Sequence, residues 1–322
     1  MSQKKIITVL GATGKQGGSV VETFLNDPKL NCDWTVRGVT RDTSKEASQR
    51  LSGLGVEMVS ADLNNKDSLV KAFKGSYAVF AVTNYWESLD MQVEIQQGKN
   101  IADASKETNV KFLIWSSQLN IKKLSIGVLS DLYHFDSKAI VEEYIRELGI
   151  TATFFLPGFY MSNIPGGMFR PSAEDGAWIF ALPIPPTAIF PMYYTGDTGK
   201  YIKGAVLHEK EVLGKRILGA TAYMTGQEIV DGFKRVFPES GKTARYYQLS
   251  EDQFRGAMKA QNSPEYVIDE MHQNMRLLDE FGYYGGESLE WTRQLVEDPL
   301  TTWEEFAKAH PDFASARQLE WA

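Results

Sequence analysis

The chain has 322 residues, 43% hydrophobic and 12% aromatic against 23% charged, so it can bury a large core and is neither a disordered nor a collagen-like sequence. Its 34 basic and 41 acidic side chains leave a net charge of −7, which argues against a surface built to neutralise phosphates, and no direct nucleic-acid binding is expected. A single cysteine, Cys32, and the scattered His134, His208, His272 and His310 exclude an internal disulfide and give no metal-ligand spacing.

The first ten residues pass from two lysines into a short apolar run and then glycines, without the apolar segment and cleavage site of a secretory signal. A cytoplasmic location is expected, a nuclear presence being compatible with it. Short apolar runs then alternate with amphipathic stretches. Strands are predicted at residues 6–10, 35–40, 57–60, 77–82, 111–116 and 151–156, with helices at 17–26, 45–54, 66–73, 92–108 and 137–148. Right-handed crossovers between such units give an α/β fold, a Rossmann-type doubly wound parallel sheet. Residues 1–156 are expected to form a dinucleotide-binding domain. Residues 157–322 would form a smaller α+β lobe for substrate or partner, with segments returning to the sheet.

The second half is aromatic and rich in Gly and Pro up to Tyr194. Residues 176–196 carry no charge and approach membrane length, but Pro183, Pro185, Pro186 and Pro191 would break any helix there. A buried loop or pocket wall is expected instead, and no membrane span. The aromatics Trp178, Phe180, Phe190, Tyr193 and Tyr194 read equally as a pocket lining or as the core of the second lobe. Further elements are expected at 198–207, 216–220 and 225–237, and near the end a helix that docks through Trp303 and Phe306.

The sharpest motif is Gly11-Ala12-Thr13-Gly14-Lys15-Gln16-Gly17-Gly18, set between the first strand and the first helix. Gly11 permits a tight turn, Gly14 lets backbone approach a pyrophosphate, and Gly17 lets helix and strand pack closely. The helix N-terminus then offers its free N–H groups to the anion. The second strand ends in Arg37-Gly38-Val39-Thr40-Arg41-Asp42, where a guanidinium would clamp the 2′-phosphate of NADP(H) and a carboxylate would take the ribose hydroxyls of NAD. Arg41 favours NADP(H); Asp42 in the tip position would favour NAD. Asp62 and Leu63 after the third strand, Thr83, Asn84 and Tyr85 after the fourth, and Ser116 at the end of the fifth are candidate ligand contacts. Ordinary strand-end caps account for them equally well.

Several stretches together resemble the NmrA-like family of atypical short-chain dehydrogenase/reductases, and most of all its NADPH redox-sensor type: residues 11–20 (GATGKQGGSV), 83–87 (TNYWE), 97–99 (QGK), 120–124 (NIKKL), 134–138 (HFDSK) and 141–144 (VEEY). The resemblance spans nearly the whole chain. It implies a Rossmann domain for NADP(H), with the residues of the 11–17 loop at the pyrophosphate and Arg41 at the 2′-phosphate. It also implies Thr83, Asn84 and Tyr85 near the ribose or nicotinamide, Lys138 on the nicotinamide ribose, and Pro157, Phe159 and Tyr160 beside the ring.

The wider superfamily catalyses with a Tyr-x-x-x-Lys pair. Here the tyrosine position holds His134, four residues before Lys138, and Tyr133 stands about 100° around the helix. His134 and Lys138 are the candidate catalytic pair if there is one, since an imidazole can act as general acid near neutral pH. The alternative is that His134 only bonds the cofactor or a neighbouring loop. Two functions follow: a regulatory redox sensor that responds to NADP(H) through a protein partner, or an NADPH-dependent reductase of a small apolar or aromatic substrate. Lys122 and Lys123 would bind an anion or partner, or simply be solvated.

Overall fold

A computed structural model describes residues 3–320. In its first half the strands are β1 (Lys5–Leu10), β2 (Trp34–Thr40), β3 (Glu57–Ser60), β4 (Ala78–Ala81), β5 (Phe112–Ser116) and β6 (Ala152–Pro157). The helices between them are α1 (Lys15–Asn26), α2 (Glu46–Gly53), α3 (Lys66–Phe73), α4 (Tyr85–Ser88), α5 (Met91–Glu107), α6 (Ile121–Leu124) and α7 (Tyr133–Glu147). The second half contributes β7 (Phe159–Tyr160), β8 (Phe169–Pro171), β9 (Trp178–Leu182), β10 (Ile189–Tyr193), β11 (Arg216–Gly219), β12 (Ala222–Thr225) and β13 (Arg245–Gln248). Its helices are α8 (Thr198–Leu207), α9 (Glu209–Val212), α10 (Gly226–Val236), α11 (Glu251–Ala260), α12 (Glu265–Arg276), α13 (Glu290–Leu295), α14 (Trp303–Ala309) and α15 (Ala314–Glu320).

The main sheet has the order β3-β2-β1-β4-β5-β6-β11, and every adjacent pair runs parallel. Successive side chains on a strand point to opposite faces, and the near-continuous apolar runs of these strands therefore feed two cores. Ile7, Val9, Ala78, Phe80, Phe112 and Ile114 pack on one face with Val20 and Phe24 of α1 and Ile202 of α8. Leu10, Val79, Ala81, Leu113 and Trp115 pack on the other with residues of α3, α5 and α7. This is the doubly wound arrangement, and its strand order reverses between β1 and β4, where such folds bind ligands.

Two three-stranded sheets, β12-β10-β7 and β13-β9-β8, build the second lobe. They correct the expectation for residues 176–196. That stretch is two strands, β9 and β10, around a proline-rich connection: Pro183, Pro185 and Pro186 fall in the connection, and only Pro191 lies within a strand. Trp178, Phe180 and Phe190 are core rather than pocket lining: Trp178 meets Phe169 and Phe313 edge-on and Phe233 at a tilt, and all are buried. The docking helix is α14, whose Trp303 Nε1 donates to Ile229 O at 2.9 Å. Among the described residues no helix is long and apolar enough to cross a membrane, and no group of three or more His, Cys, Asp or Glu side chains is placed to hold a metal ion.

Candidate functional site

A cleft of about 770 Å³ opens over the carboxyl ends of β1, β2, β3 and β4, at the reversal of strand order. Its floor is the glycine loop. Gly11 has φ +63°, a left-handed conformation that glycine adopts without strain, and its carbonyl accepts from Gly14 N at 2.8 Å. A Cβ on Gly17 would stand 2.3 Å from Gly11 O and 2.8 Å from Leu10 O, so only glycine lets α1 start this close to β1. Gly14 is the N-cap of α1 and provides no side-chain cap, which leaves the first amides of a 12-residue helix available to an anion. Thr13, Lys15 and Gln16 line the cleft, whereas Ala12 is buried beneath the loop.

At the outer rim Arg41 follows β2 and pairs with Glu87 of α4, both half or more exposed. Asp42 does not line the cleft with them. Its Oδ1 accepts from Ser44 Oγ at 2.6 Å and Ser44 N at 2.9 Å, bonds that hold the carboxyl below its ordinary range and fix the turn into α2. Asp62 and Leu63 both reach the cleft wall; Asp62 Oδ1 takes Asn64 N at 2.9 Å, and Leu63 O takes Asn100 Nδ2 at 2.8 Å.

The inner end is built differently. Thr83 and Asn84 line the cleft, but Lys138 lies behind them. Its ammonium donates to Thr83 O at 3.0 Å, Thr83 Oγ1 at 2.8 Å and Glu94 Oε1 at 2.7 Å, which engages all three of its hydrogens. Glu94 is buried on α5 and also accepts from Thr83 Oγ1 at 2.7 Å and from Ser137 Oγ. Burial alone would raise the Glu94 carboxyl, but the Lys138 ammonium and the hydroxyl bonds hold it below its ordinary range. His134 too lies off the cleft. Its ring Nδ1 and its backbone N–H both meet Glu270 Oε1, the latter at 2.9 Å, while Glu270 Oε2 accepts from Tyr85 OH at 2.9 Å. Glu270 belongs to α12 of the second lobe and is fully buried, so one carboxylate ties His134 and Tyr85 to that lobe. Tyr85 thus points away from the cleft, and burial beside Glu270 pushes its phenol up.

Tyr160 reaches the cleft from β7. Its hydroxyl accepts from Gln16 Nε2 at 2.6 Å, and Gln16 Oε1 accepts from Ser116 Oγ at 3.0 Å, a chain that crosses the inner end. Burial pushes the Tyr160 phenol up to about 12. Pro157 and Phe159 are buried behind this chain, and Pro157 O accepts from Gln118 Nε2 at 2.9 Å. Lys123 pairs with Glu143 on the surface. Glu94, Gln118 and Glu270 belong to no quoted motif, and Glu87 appears only as the last residue of TNYWE, with no role of its own. Glu94 had a usable signal, since it shares the buried face of α5 with Ile95, Gly98 and Ile101, where an acid requires a partner.

The oxidoreductase malD of Malbranchea aurantiaca, named for its NmrA-like family domain, is 32% identical over 269 residues, 76% of each chain. The crystal structure of NmrA, a negative transcriptional regulator, superimposes with a TM-score of 0.81 at 21% identity over 99% of both chains. An NADPH-dependent quinone oxidoreductase, QOR2 of Escherichia coli, solved with NADPH, gives a TM-score of 0.73 at 21% identity over 97% of this chain and 99% of that one. At such identities these two structures bear on the fold alone. With the NmrA-like family profile matching residues 3–307, and a relative 32% identical over three quarters of its length, the chain belongs to the NmrA-like family.

Proposed function

We propose that the protein binds NADP(H) in the cleft and acts as a regulatory redox sensor, in the cytoplasm, through a protein partner. The cofactor assignment is supported by the uncapped helix start at Gly14, by Arg41 on the rim with Asp42 turned to Ser44, and by NADPH in a structural relative. In this reading the 11–17 loop holds the pyrophosphate, Arg41 the 2′-phosphate, and Thr83 and Asn84 the inner ribose. The bound dinucleotide supplies hydride chemistry at its nicotinamide.

The observation that carries the regulatory half is the state of the two candidate catalytic groups. Lys138 donates to Thr83 O, Thr83 Oγ1 and Glu94 Oε1, and it is ion-paired with buried Glu94. His134 is bound to buried Glu270. Neither side chain lines the cleft. The same contacts provide a route of communication: Asn84 on the cleft wall precedes Tyr85, whose hydroxyl holds Glu270 on α12. A ligand that displaces the β4–α4 turn changes how α12 is held, and differential affinity for the two arrangements is what a sensor requires.

Hydrogen exchange and sedimentation of the full chain with and without NADPH and NADP test this. A ligand-dependent change over Glu265–Arg276 or in association state supports sensing; identical behaviour in all states refutes it. A second reading, an NADPH-dependent reductase of a small apolar or aromatic metabolite, is favoured by the oxidoreductase names of the curated relatives and by the Tyr160 phenol on the cleft wall. NADPH oxidation over a panel of quinones and aromatic carbonyls, lost in Tyr160→Phe while the melting temperature is kept, would establish it.

A further inference from the structure

A cleft that receives a polyphosphate should avoid carboxylates, because like charges at contact distance oppose binding. Glu87 stands on its wall nonetheless and is paired with Arg41. Its position is imposed by the backbone rather than by a core contact. Glu87 N donates to Asn84 O at 3.2 Å, and the turn closes with Leu89 N on Tyr85 O at 2.8 Å and Leu89 at φ +53°. Tyr85, on the opposite side of the same turn, is held by Glu270. The carboxylate can therefore leave Arg41 by rotating its side chain, but α4 does not carry it away.

We propose that Glu87 is a specificity-determining residue, a resident competitor for the 2′-phosphate that occupies Arg41 while the cleft is empty. This rests on the reading that Arg41 is the 2′-phosphate site. A dinucleotide with that phosphate must break the Arg41–Glu87 pair and then sit beside the displaced carboxylate. A dinucleotide without it leaves the pair intact. Glu87 thus weakens NADP(H) selectively and narrows its margin over NAD(H). For a sensor the effect is useful, since a site that releases its ligand can report changes in its concentration.

Calorimetric titrations of the full chain with NADPH, NADH and adenosine 2′-phosphate test the proposal in the unaltered protein, in Glu87→Gln and in Arg41→Ala. Glu87→Gln is expected to tighten NADPH and adenosine 2′-phosphate by about threefold to tenfold, the scale of one exposed ion pair plus a removed repulsion, and to change NADH by less than about twofold. Unchanged or weaker NADPH binding in Glu87→Gln overturns the proposal, the weaker result meaning that Glu87 orients Arg41 for the phosphate. Arg41→Ala separates the two levels. If it lowers the NADPH preference while Glu87→Gln does nothing, only the competitor role fails; if it leaves the preference intact, the 2′-phosphate assignment fails and the competitor role with it.

Discussion

The two ends of the cleft handle charge in opposite ways. At the outer rim Arg41 and Glu87 are 70% and 52% exposed and paired with each other on the cleft wall. At the inner end Lys138 and Glu94 are 13% and 1% exposed and bonded to each other and to Thr83 and Ser137. An exposed pair contributes about 0.2–1 kcal/mol and exchanges partners easily, whereas removing one member of a buried pair costs about 3–5 kcal/mol because an uncompensated charge remains. The rim is thus suited to recognising a ligand. The inner end is suited to holding the two lobes and the β4–α4 turn in register.

The largest expected effect tests the inner end. Glu94→Ala would leave the Lys138 ammonium with only Thr83 as partner and should destabilise the fold by about 3–5 kcal/mol in chemical denaturation. A loss below about 1 kcal/mol would mean that Lys138 is free to serve a ligand, breaking the contrast with the rim. Next comes the floor between the two ends. Gly17→Ala places a Cβ against Gly11 O and Leu10 O and should cost about 1–3 kcal/mol of stability while also displacing the loop from any pyrophosphate. Gly18→Ala is the control, since its Cβ meets Ala12 O at an ordinary 3.5 Å. If Gly17→Ala retains both its melting temperature and NADPH affinity, the close approach of helix and strand is not what shapes the site.

The rim is sharpened by Arg41→Ala, for which a charge-assisted contact predicts a loss of about 1.5–3 kcal/mol in NADPH affinity with NADH nearly unaffected, measured by calorimetry. Asp42→Asn should leave the ratio of the two affinities unchanged, because its carboxylate caps the turn at Ser44. A selective gain or loss of NADH in Asp42→Asn would instead return Asp42 to the ribose.

Much of this was legible in the sequence, for physical reasons that differ by region. The central strands of the main sheet are apolar on both faces and the helices amphipathic, so period and composition located the elements within a residue or two, except α7, which begins at Tyr133 rather than at residue 137. The glycine loop was legible because its glycines are required sterically by contacts only a few residues away. Residues 176–196 were not, since Pro183, Pro185, Pro186 and Pro191 argue against helix and say little about which short strands pair, parallel or antiparallel. The roles of Lys138, His134 and Tyr85 were illegible for another reason: their partners, Glu94 and Glu270, stand 44, 136 and 185 residues away, and nothing local announces which carboxylate will meet them. Sequence distance also explains why Glu87, quoted only within TNYWE, was given no partner, since it stands 46 residues from the guanidinium it faces.

The smallest expected effect carries the comparison from the inner end to a second buried acid, on α7. Asp136, on α7 two residues before Lys138, accepts from Ile121 N at 2.6 Å and Lys122 N at 3.4 Å, neutral donors rather than an ammonium. Burial therefore dominates and raises its carboxyl, opposite to Glu94. The signs follow. Glu94, depressed in the fold, contributes stability that is present above the ordinary carboxylate range and is lost as pH falls through its lowered folded value. Asp136, elevated in the fold, disfavours folding above its raised value, and that penalty disappears as pH falls through it. Asp136→Asn keeps an acceptor for the two amides and should change stability at neutral pH by less than about 1 kcal/mol. It should also remove a stabilising contribution on acidification, so that the acid limb of the stability profile becomes steeper, whereas Glu94→Gln should make it shallower. Two parallel shifts of the limb in the same direction would show that the buried carboxylates of α5 and α7 share one environment, with no difference between an acid facing a cation and an acid facing amides.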